Sequence, residues 1–254
     1  MFTEETREAL QHTLIDSARQ DERVVAAALV GSSATGGQDR WSDIDLALRL
    51  GAEVDRDTVL ADWTERMRQQ HLAVDHLDVS GPGAIYRVFL RADSLQVDVS
   101  FWEYDRFRPT GPRFSLLFGE ALEAGIIEPE PATRLAGWAW LYALHVRSAI
   151  ARGRVWQAVH LIGGMRDHVV AMACLRHGLP ATQGRGVDDL PRTITDPLAA
   201  TLVASTGVTA LHEAFTATCS ALEREVVEID ADLAARIGPV LRKMVTSSAP
   251  AAEG

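Results

Sequence analysis

The chain has 254 residues, of which 47% are hydrophobic and 24% charged, enough apolar surface for one large domain or two smaller ones. Its net charge of −10 argues against a role in coating nucleic acid or binding an anionic membrane. Lys243 is the only lysine, which excludes enzymes that need a phosphate-loop, kinase or Schiff-base lysine in the body of the chain. An acidic, polar N-terminus and the lack of an apolar run of ~18–20 residues predict a cytoplasmic protein.

Short helices and strands are predicted to alternate over the first 105 residues. Thr3 is expected to cap the first helix and Asp57 the second. Continuous apolar runs and period-two alternation predict five strands, of which the last two form a hairpin. The predicted strands cover residues 24–30, 43–48, 72–79, 84–91 and 95–102. This order predicts an α/β (α+β) fold class, with a small mixed-sheet domain over residues 1–105.

The second half of the chain has a different pattern. Residues 106–131 contain four of the ten prolines and are predicted to form a connection, with extended structure around 114–118. Helical apolar spacing predicts an all-helical bundle domain over 132–245, followed by a disordered tail over 246–254. Three tryptophans are predicted to lie in the core of this bundle: Trp138, Trp140 and Trp156.

One segment contains residues that are typical of a phosphate-binding and metal-binding site. It begins with Gly31-Ser32, and ten residues later continues with Asp43-Ile44-Asp45. A glycine after a buried strand lets a ligand approach the backbone, and a helix starting at Ser32 would offer free amides to a phosphate. Asp43 and Asp45 are two apart on a strand, so their side chains share one side with Cα atoms ~6.5–7 Å apart. Such a pair predicts a Mg²⁺ site shared with substrate phosphates.

A third carboxylate lies on the last predicted strand. Gln96, Asp98 and Ser100 form its polar face, opposite an apolar face. If this strand pairs beside the strand of Asp43 and Asp45, three carboxylates converge. That convergence is the arrangement that two-metal phosphoryl chemistry requires.

The pattern Gly31-Ser32-x-Ala34-x-Gly36-x5-Ser42-Asp43-Ile44-Asp45-Leu46, with Asp98 on a later strand, resembles the signature of the DNA polymerase β-like nucleotidyltransferase superfamily. The helical half is similar to bacterial nucleotidyltransferases of the aminoglycoside and lincosamide resistance type. The motifs that carry this similarity are Trp140-x-Tyr142-Ala143-x-His145, Arg152-Gly153-Arg154-x-Trp156-Gln157-Ala158 and Arg176-His177-Gly178-Leu179-Pro180.

The resemblance implies transfer of a nucleoside monophosphate, AMP from ATP, to a hydroxyl of a small molecule such as an aminoglycoside, with Mg²⁺ and release of pyrophosphate. It implies that Asp43 and Asp45 are metal ligands for two Mg²⁺ ions. Asp98 is then a third ligand, the general base for the acceptor hydroxyl, or both. These three aspartates are the expected catalytic residues.

The resemblance also implies contacts to the two substrates. Many members carry arginine where this chain has Thr35, so Arg40 or Arg166 is expected to clamp the triphosphate instead. The expected nucleotide-binding residues are Gly31, Ser32, Ser42 and Arg166, and the expected acceptor-binding residues are Trp102, Glu103 and Tyr142. A buried aromatic beside solvated acids is the alternative for Trp102 and Glu103, and a core or interface position is the alternative for Tyr142.

A second hypothesis is an antitoxin-like or regulatory nucleotidyltransferase-fold module that binds or modifies a protein partner. It is kept because Arg154-x5-His160 loosely resembles a helical RNase toxin motif. The leading hypothesis remains an enzyme whose partners are a nucleoside triphosphate and a small hydroxyl acceptor, with no nucleic acid and no membrane. Either a monomer or a homodimer is consistent with the sequence.

Overall fold

The computed structural model describes residues 1–34, 38–125 and 129–249. The chain divides into two compact units, Met1–Ile127 and Glu128–Gly254. The first unit holds a six-stranded sheet and two long helices, and the second holds helices. This arrangement confirms the predicted fold class of an α/β domain followed by a helical region.

A mixed sheet forms the first unit. Its strands are β1 Val24–Val30, β2 Ile44–Leu50, β3 Ala73–Gly81, β4 Ala84–Arg91, β5 Gln96–Trp102 and β6 Phe114–Phe118. Their order across the sheet is β3-β4-β5-β2-β1-β6. β2 and β5 pair in parallel, whereas the other neighbouring strands pair antiparallel. A parallel pair needs a long crossover, which the segment between β2 and β5 supplies.

Two helices cover one face of this sheet, α1 Glu4–Gln20 and α2 Arg56–Gln70. Thr3 caps α1 as predicted, accepting a hydrogen bond from the Thr6 amide. The cap of α2 is Asp55 rather than the predicted Asp57, because the Asp55 carboxylate accepts hydrogen bonds from the amide and hydroxyl of Thr58. The main core of the unit lies between these helices and the apolar sides of β2 and β5, and includes Leu14, Trp63, Ile44, Leu46, Val97 and Phe101.

The opposite face of the sheet has a smaller core. Ala26, Ala28 and Ala47 leave room there for the rings of Trp102 and Phe107, whose centroids are 6.3 Å apart. β6 pairs with β1 at the edge of the sheet, so the extended structure predicted around residues 114–118 is part of the first unit.

The second unit is a helical bundle with helices α3 Ala132–Ala151, α4 Val155–Arg176, α5 Arg192–Leu198, α6 Val208–Ile229 and α7 Ala231–Ser247. α7 continues two residues into the predicted tail, and residues 250–254 of that tail lie outside the described part of the chain. No helix in the described ranges is both long and apolar enough to cross a bilayer.

The prediction that three tryptophans occupy the bundle core is wrong. The side chains of Trp138, Trp140 and Trp156 are 40%, 37% and 76% exposed. Small residues fill the inner side of α3 instead, where Ala136, Ala139 and Ala143 are buried. Alanine lets neighbouring helices approach closely, which leaves no room for an indole between them.

Candidate active site

Strand directions bring four of the predicted site residues, Gly31, Asp43, Asp45 and Asp98, to one edge of the sheet. β1 runs antiparallel to β2, so Gly31, which follows β1, lies near the start of β2. β5 runs parallel to β2, so the two strands start at the same edge. Asp45 of β2 pairs directly with Asp98 of β5, and Asp43 directly precedes β2. Adjacent strands are about 4.8 Å apart, which places these carboxylates side by side.

Three carboxylates form a compact cluster at this edge. Asp43, Asp45 and Asp98 each offer one oxygen, and these oxygens all lie within 4.8 Å of one another. All three side chains are half-buried, so they are accessible to a ligand yet partly removed from water. A set of oxygen ligands at this spacing is suited to a divalent cation such as Mg²⁺.

Gly31 shapes the cluster by having no side chain. Its φ angle is +64°, in the left-handed region that favours glycine. A Cβ atom at this position would lie 2.2 Å from Asp45 Oδ2. The glycine therefore meets two requirements, a backbone turn at the end of β1 and space for the Asp45 carboxylate.

The Asp98 carboxylate has a perturbed pKa. Burial disfavours its charged form and is the main cause, a hydrogen bond from Gln96 acts in the opposite direction, and the negative charge of Asp43 adds to the effect of burial. The resulting pKa is about 6. Asp98 therefore takes up a proton more readily than an ordinary aspartate.

Gln96 is a site residue that the sequence did not single out. Its amide nitrogen Nε2 lies 3.0 Å and 3.2 Å from the two carboxylate oxygens of Asp98 and 3.5 Å from Asp43 Oδ2. The available signal was its position two residues before Asp98, on the same polar face of β5.

The loop that leads into β2 has its own hydrogen bonds. The Ser42 hydroxyl donates to the Asp39 carboxylate (3.1 Å) and accepts from the Asp39 amide (2.9 Å). Arg7 is buried on α1 and donates to the backbone carbonyl of Asp39. Arg40 packs its guanidinium over the Trp41 ring at 4.3 Å. Ser42 thus orders the approach to Asp43, and Arg40 is exposed beside it.

The turn that follows β1 differs from the helix considered in the sequence. Gly31–Ala34 forms a four-residue 3₁₀ turn, with Ser32 half-buried inside it. Thr35 and Gly36 of the sequence signature lie outside the described residues. Any anion contact by Gly31 and Ser32 would therefore use a tight turn rather than the end of a long helix.

Two predicted acceptor residues are not brought together with the aspartates. Trp102 is buried in the smaller core, where its indole N–H donates to the Ser100 hydroxyl at 2.9 Å. Glu103 follows β5 and pairs with Arg56 of α2 at 3.2 Å. Glu103 comes five positions after Asp98 along extended chain, a distance of about 16 Å. Both residues therefore lie toward the opposite end of the strand from the carboxylate cluster.

The remaining predicted site residues belong to the second unit. Tyr142 on α3 is half-buried, and its ring centroid is 5.5 Å from that of His168 on α4. Gly164 makes room for this ring, because a Cβ there would lie 2.7 Å from Tyr142 Cε1. Arg166 on α4 is also half-buried. Tyr142 and Arg166 are thus partly accessible on neighbouring helices.

The strand order places the carboxylate cluster and the glycine beside it at one edge of the sheet. Residues 12–113 match the family model described as the nucleotidyltransferase domain. This part of the chain, which contains Gly31 and all three aspartates, is a nucleotidyltransferase domain, and the protein is a nucleotidyltransferase enzyme. A comparison with curated proteins finds no match to the sequence.

Solved structures of nucleotidyltransferases are among the chains similar to this one. An aminoglycoside 6-adenyltransferase from Bacillus subtilis is 13% identical with a TM-score of 0.37, over 94% of this chain and 97% of that one. A nucleotidyltransferase-like protein from Exiguobacterium sibiricum is also 13% identical, with a TM-score of 0.36 over 87% and 76% of the two chains.

Proposed function

We propose that this enzyme transfers a nucleoside monophosphate from a nucleoside triphosphate, with ATP as the first candidate, to a hydroxyl group of a small molecule. The observation that carries the proposal is the convergence of Asp43, Asp45 and Asp98 within 4.8 Å, inside a nucleotidyltransferase domain. The family match supports nucleotidyl transfer in general, and the acidic cluster supports its dependence on a divalent metal.

The cluster fits Mg²⁺ because it offers only oxygen ligands and lies at an accessible edge of the sheet. Asp43 and Asp45 are the proposed ligands, with Asp98 as a third. When bound, Mg²⁺ would offset the charge of the triphosphate and make the acceptor hydroxyl easier to deprotonate.

In the proposed reaction the acceptor oxygen forms a bond to the α-phosphorus of the nucleotide. The bond from this phosphorus to the oxygen bridging it to the β-phosphate breaks, and pyrophosphate leaves with that oxygen. Asp98 accepts the proton of the acceptor hydroxyl, as a carboxylate beside the reacting group can. Gly31 and Ser32 are the proposed triphosphate contacts, and most of the rate acceleration comes from positioning and electrostatics.

The class of acceptor is also part of the proposal. A cationic, hydroxyl-rich compound such as an aminoglycoside is the first class to test, because the chain carries a net charge of −10.

The test is mass spectrometry of a panel of hydroxylated antibiotics incubated with the protein, Mg²⁺ and each of the common nucleoside triphosphates. The expected product is one panel compound heavier by one nucleoside monophosphate. Asp43→Asn and Asp45→Asn should abolish it, whereas Asp105→Asn, at an exposed position away from the cluster, should keep it. Full transfer activity in Asp45→Asn would refute the proposal.

A further inference from the structure

We propose that Gln96 is a positioning residue whose amide lies between Asp43 and Asp98 and turns away when the metal and nucleotide bind. This inference rests on the proposed function, because it takes the three aspartates to be the metal site. The three aspartates are proposed to hold the ion. The new inference is that a fourth residue, Gln96, competes with the ion.

The contacts of Gln96 bridge two strands. Its Nε2 atom lies 3.0 Å and 3.2 Å from the two Asp98 oxygens and 3.5 Å from Asp43 Oδ2. Gln96 and Asp98 belong to β5, whereas Asp43 directly precedes β2. One amide group therefore links carboxylates that come from separate parts of the chain.

No core packing fixes this amide in place. The Gln96 side chain is exposed, whereas its neighbours Leu95 and Val97 are buried on the other side of the strand. An exposed glutamine has several rotamers available in water and gives up that freedom only for a favourable contact. The contact here is with two carboxylates that repel each other, which makes it a hydrogen bond to charged groups.

The NH₂ group of Gln96 can take the place of a cation between the two carboxylates, but it cannot act as a ligand of a metal ion there. This NH₂ group donates two hydrogens and has no lone pair to offer a metal, whereas a carboxylate oxygen can accept a hydrogen bond and still ligate a metal. The competition is for space, because an ion shared by Asp43 and Asp98 would lie about 2.0–2.1 Å from their oxygens, between the two carboxylates that Nε2 contacts. The amide and the ion therefore compete, and Gln96 must turn away before such an ion binds.

This competition predicts how substitutions change metal affinity. Gln96→Ala removes the competing donor, so the nucleotide-free protein should bind Mn²⁺ about fivefold more tightly, a change equivalent to about 1 kcal/mol. Gln96→Lys places a permanent positive charge beside the same carboxylates, so it should weaken Mn²⁺ binding by about tenfold or more. A residue that only supported the fold would not shift affinity in opposite directions.

Gln69 offers a matched control. Its amide also donates to a carboxylate, Glu65 Oε1 at 2.5 Å, but both residues are exposed on α2, away from the cluster. Gln69→Ala should leave Mn²⁺ affinity unchanged. Asp45→Asn should lose the binding, which identifies the site that is being titrated.

The experiment is a titration of the full chain with Mn²⁺ in the absence of nucleotide, with free Mn²⁺ measured by electron paramagnetic resonance and folding checked by circular dichroism. Tighter binding by Gln96→Ala with weaker binding by Gln96→Lys is the expected result. Wild-type or weaker affinity in Gln96→Ala, where Asp45→Asn loses binding, would overturn the role of Gln96 and leave the proposed function standing. A wild-type protein that binds no Mn²⁺, with or without nucleotide, would overturn both.

Discussion

Replacement of Gly31 by alanine tests whether the space beside Asp45 is needed for activity. The new Cβ would lie 2.2 Å from Asp45 Oδ2, well inside the ordinary contact distance between nonbonded atoms. Because Gly31 is part of the turn that ends β1, the carboxylate has more freedom to move than the backbone. We expect the Asp45 carboxylate to move away from Gly31, so that it no longer lies in its present position beside the Asp98 carboxylate.

The size of the effect follows from two separate terms. An alanine at φ +64° costs about 1–2 kcal/mol, of which about 0.4–1 kcal/mol is recovered because alanine restricts the unfolded chain. The net loss of stability is therefore about 1 kcal/mol. The carboxylate must retreat by roughly 1 Å or more to reach van der Waals contact, and a misplacement of that size can lower a rate about 100-fold. The loss of activity should thus exceed the loss of stability.

Gly153 separates these two terms. Its φ angle is +65°, nearly that of Gly31, but a Cβ there would meet nothing within 4 Å. Gly153→Ala should therefore lose about 1 kcal/mol of stability with little change in activity. Chemical denaturation measures the stability. The rate of pyrophosphate release, with the acceptor found by mass spectrometry, measures the activity. If Gly31→Ala transfers nucleotide as fast as Gly153→Ala, the reasoning about the Asp45 carboxylate is wrong.

Three further predictions concern the carboxylates. Asp98→Asn should lower the rate of a single turnover by about 100-fold or more while changing nucleotide affinity far less, and equal losses in both would make Asp98 a metal ligand only. ATP with Mg²⁺ at about 100 times its Kd should stabilise the wild type by about 2.7 kcal/mol in thermal unfolding, and the same addition to Asp45→Asn should give no stabilisation. The hydrogen bonds from buried Arg87 hold the pKa of Asp78 below its usual range. This pair therefore stabilises the folded protein when the pH is above the ordinary aspartate pKa of about 3.9. The stabilisation is lost as the pH falls through the lower pKa that Asp78 has in the folded protein. Asp78→Asn should therefore melt lower than wild type at pH 7, and the difference should shrink as the pH falls below the ordinary aspartate pKa.

Much of the sheet could be predicted from the sequence because its strands have distinct faces. The predicted bounds of β1 and β4 match the structure, and β5 differs by one residue. Period-two alternation correctly assigned Asp98 to the polar face of β5. The pattern predicted the hairpin of β4 and β5, which the structure confirms, but not the pairing of β5 beside β2 that brings Asp98 to Asp45.

The side chains around the cluster were harder to predict, for different physical reasons. Gln96 acts through a hydrogen bond across two strands, which depends on a pairing that a single sequence does not specify. The position of Glu103 follows from extended-strand geometry, since five residues carry the chain about 16 Å from Asp98. In the bundle, apolar periodicity favoured the large side chains of α3, whereas close helix packing selected its alanines.

The most direct test of the central claim is a crystal structure of the protein soaked with Mn²⁺ and a non-hydrolysable ATP analogue, with anomalous difference maps to locate the metal. The account predicts anomalous density bounded by the carboxylates of Asp43, Asp45 and Asp98, with Gln96 turned away and the triphosphate beside Gly31. Nucleotide bound elsewhere, or density for Mn²⁺ that none of the three aspartates contacts, would contradict it.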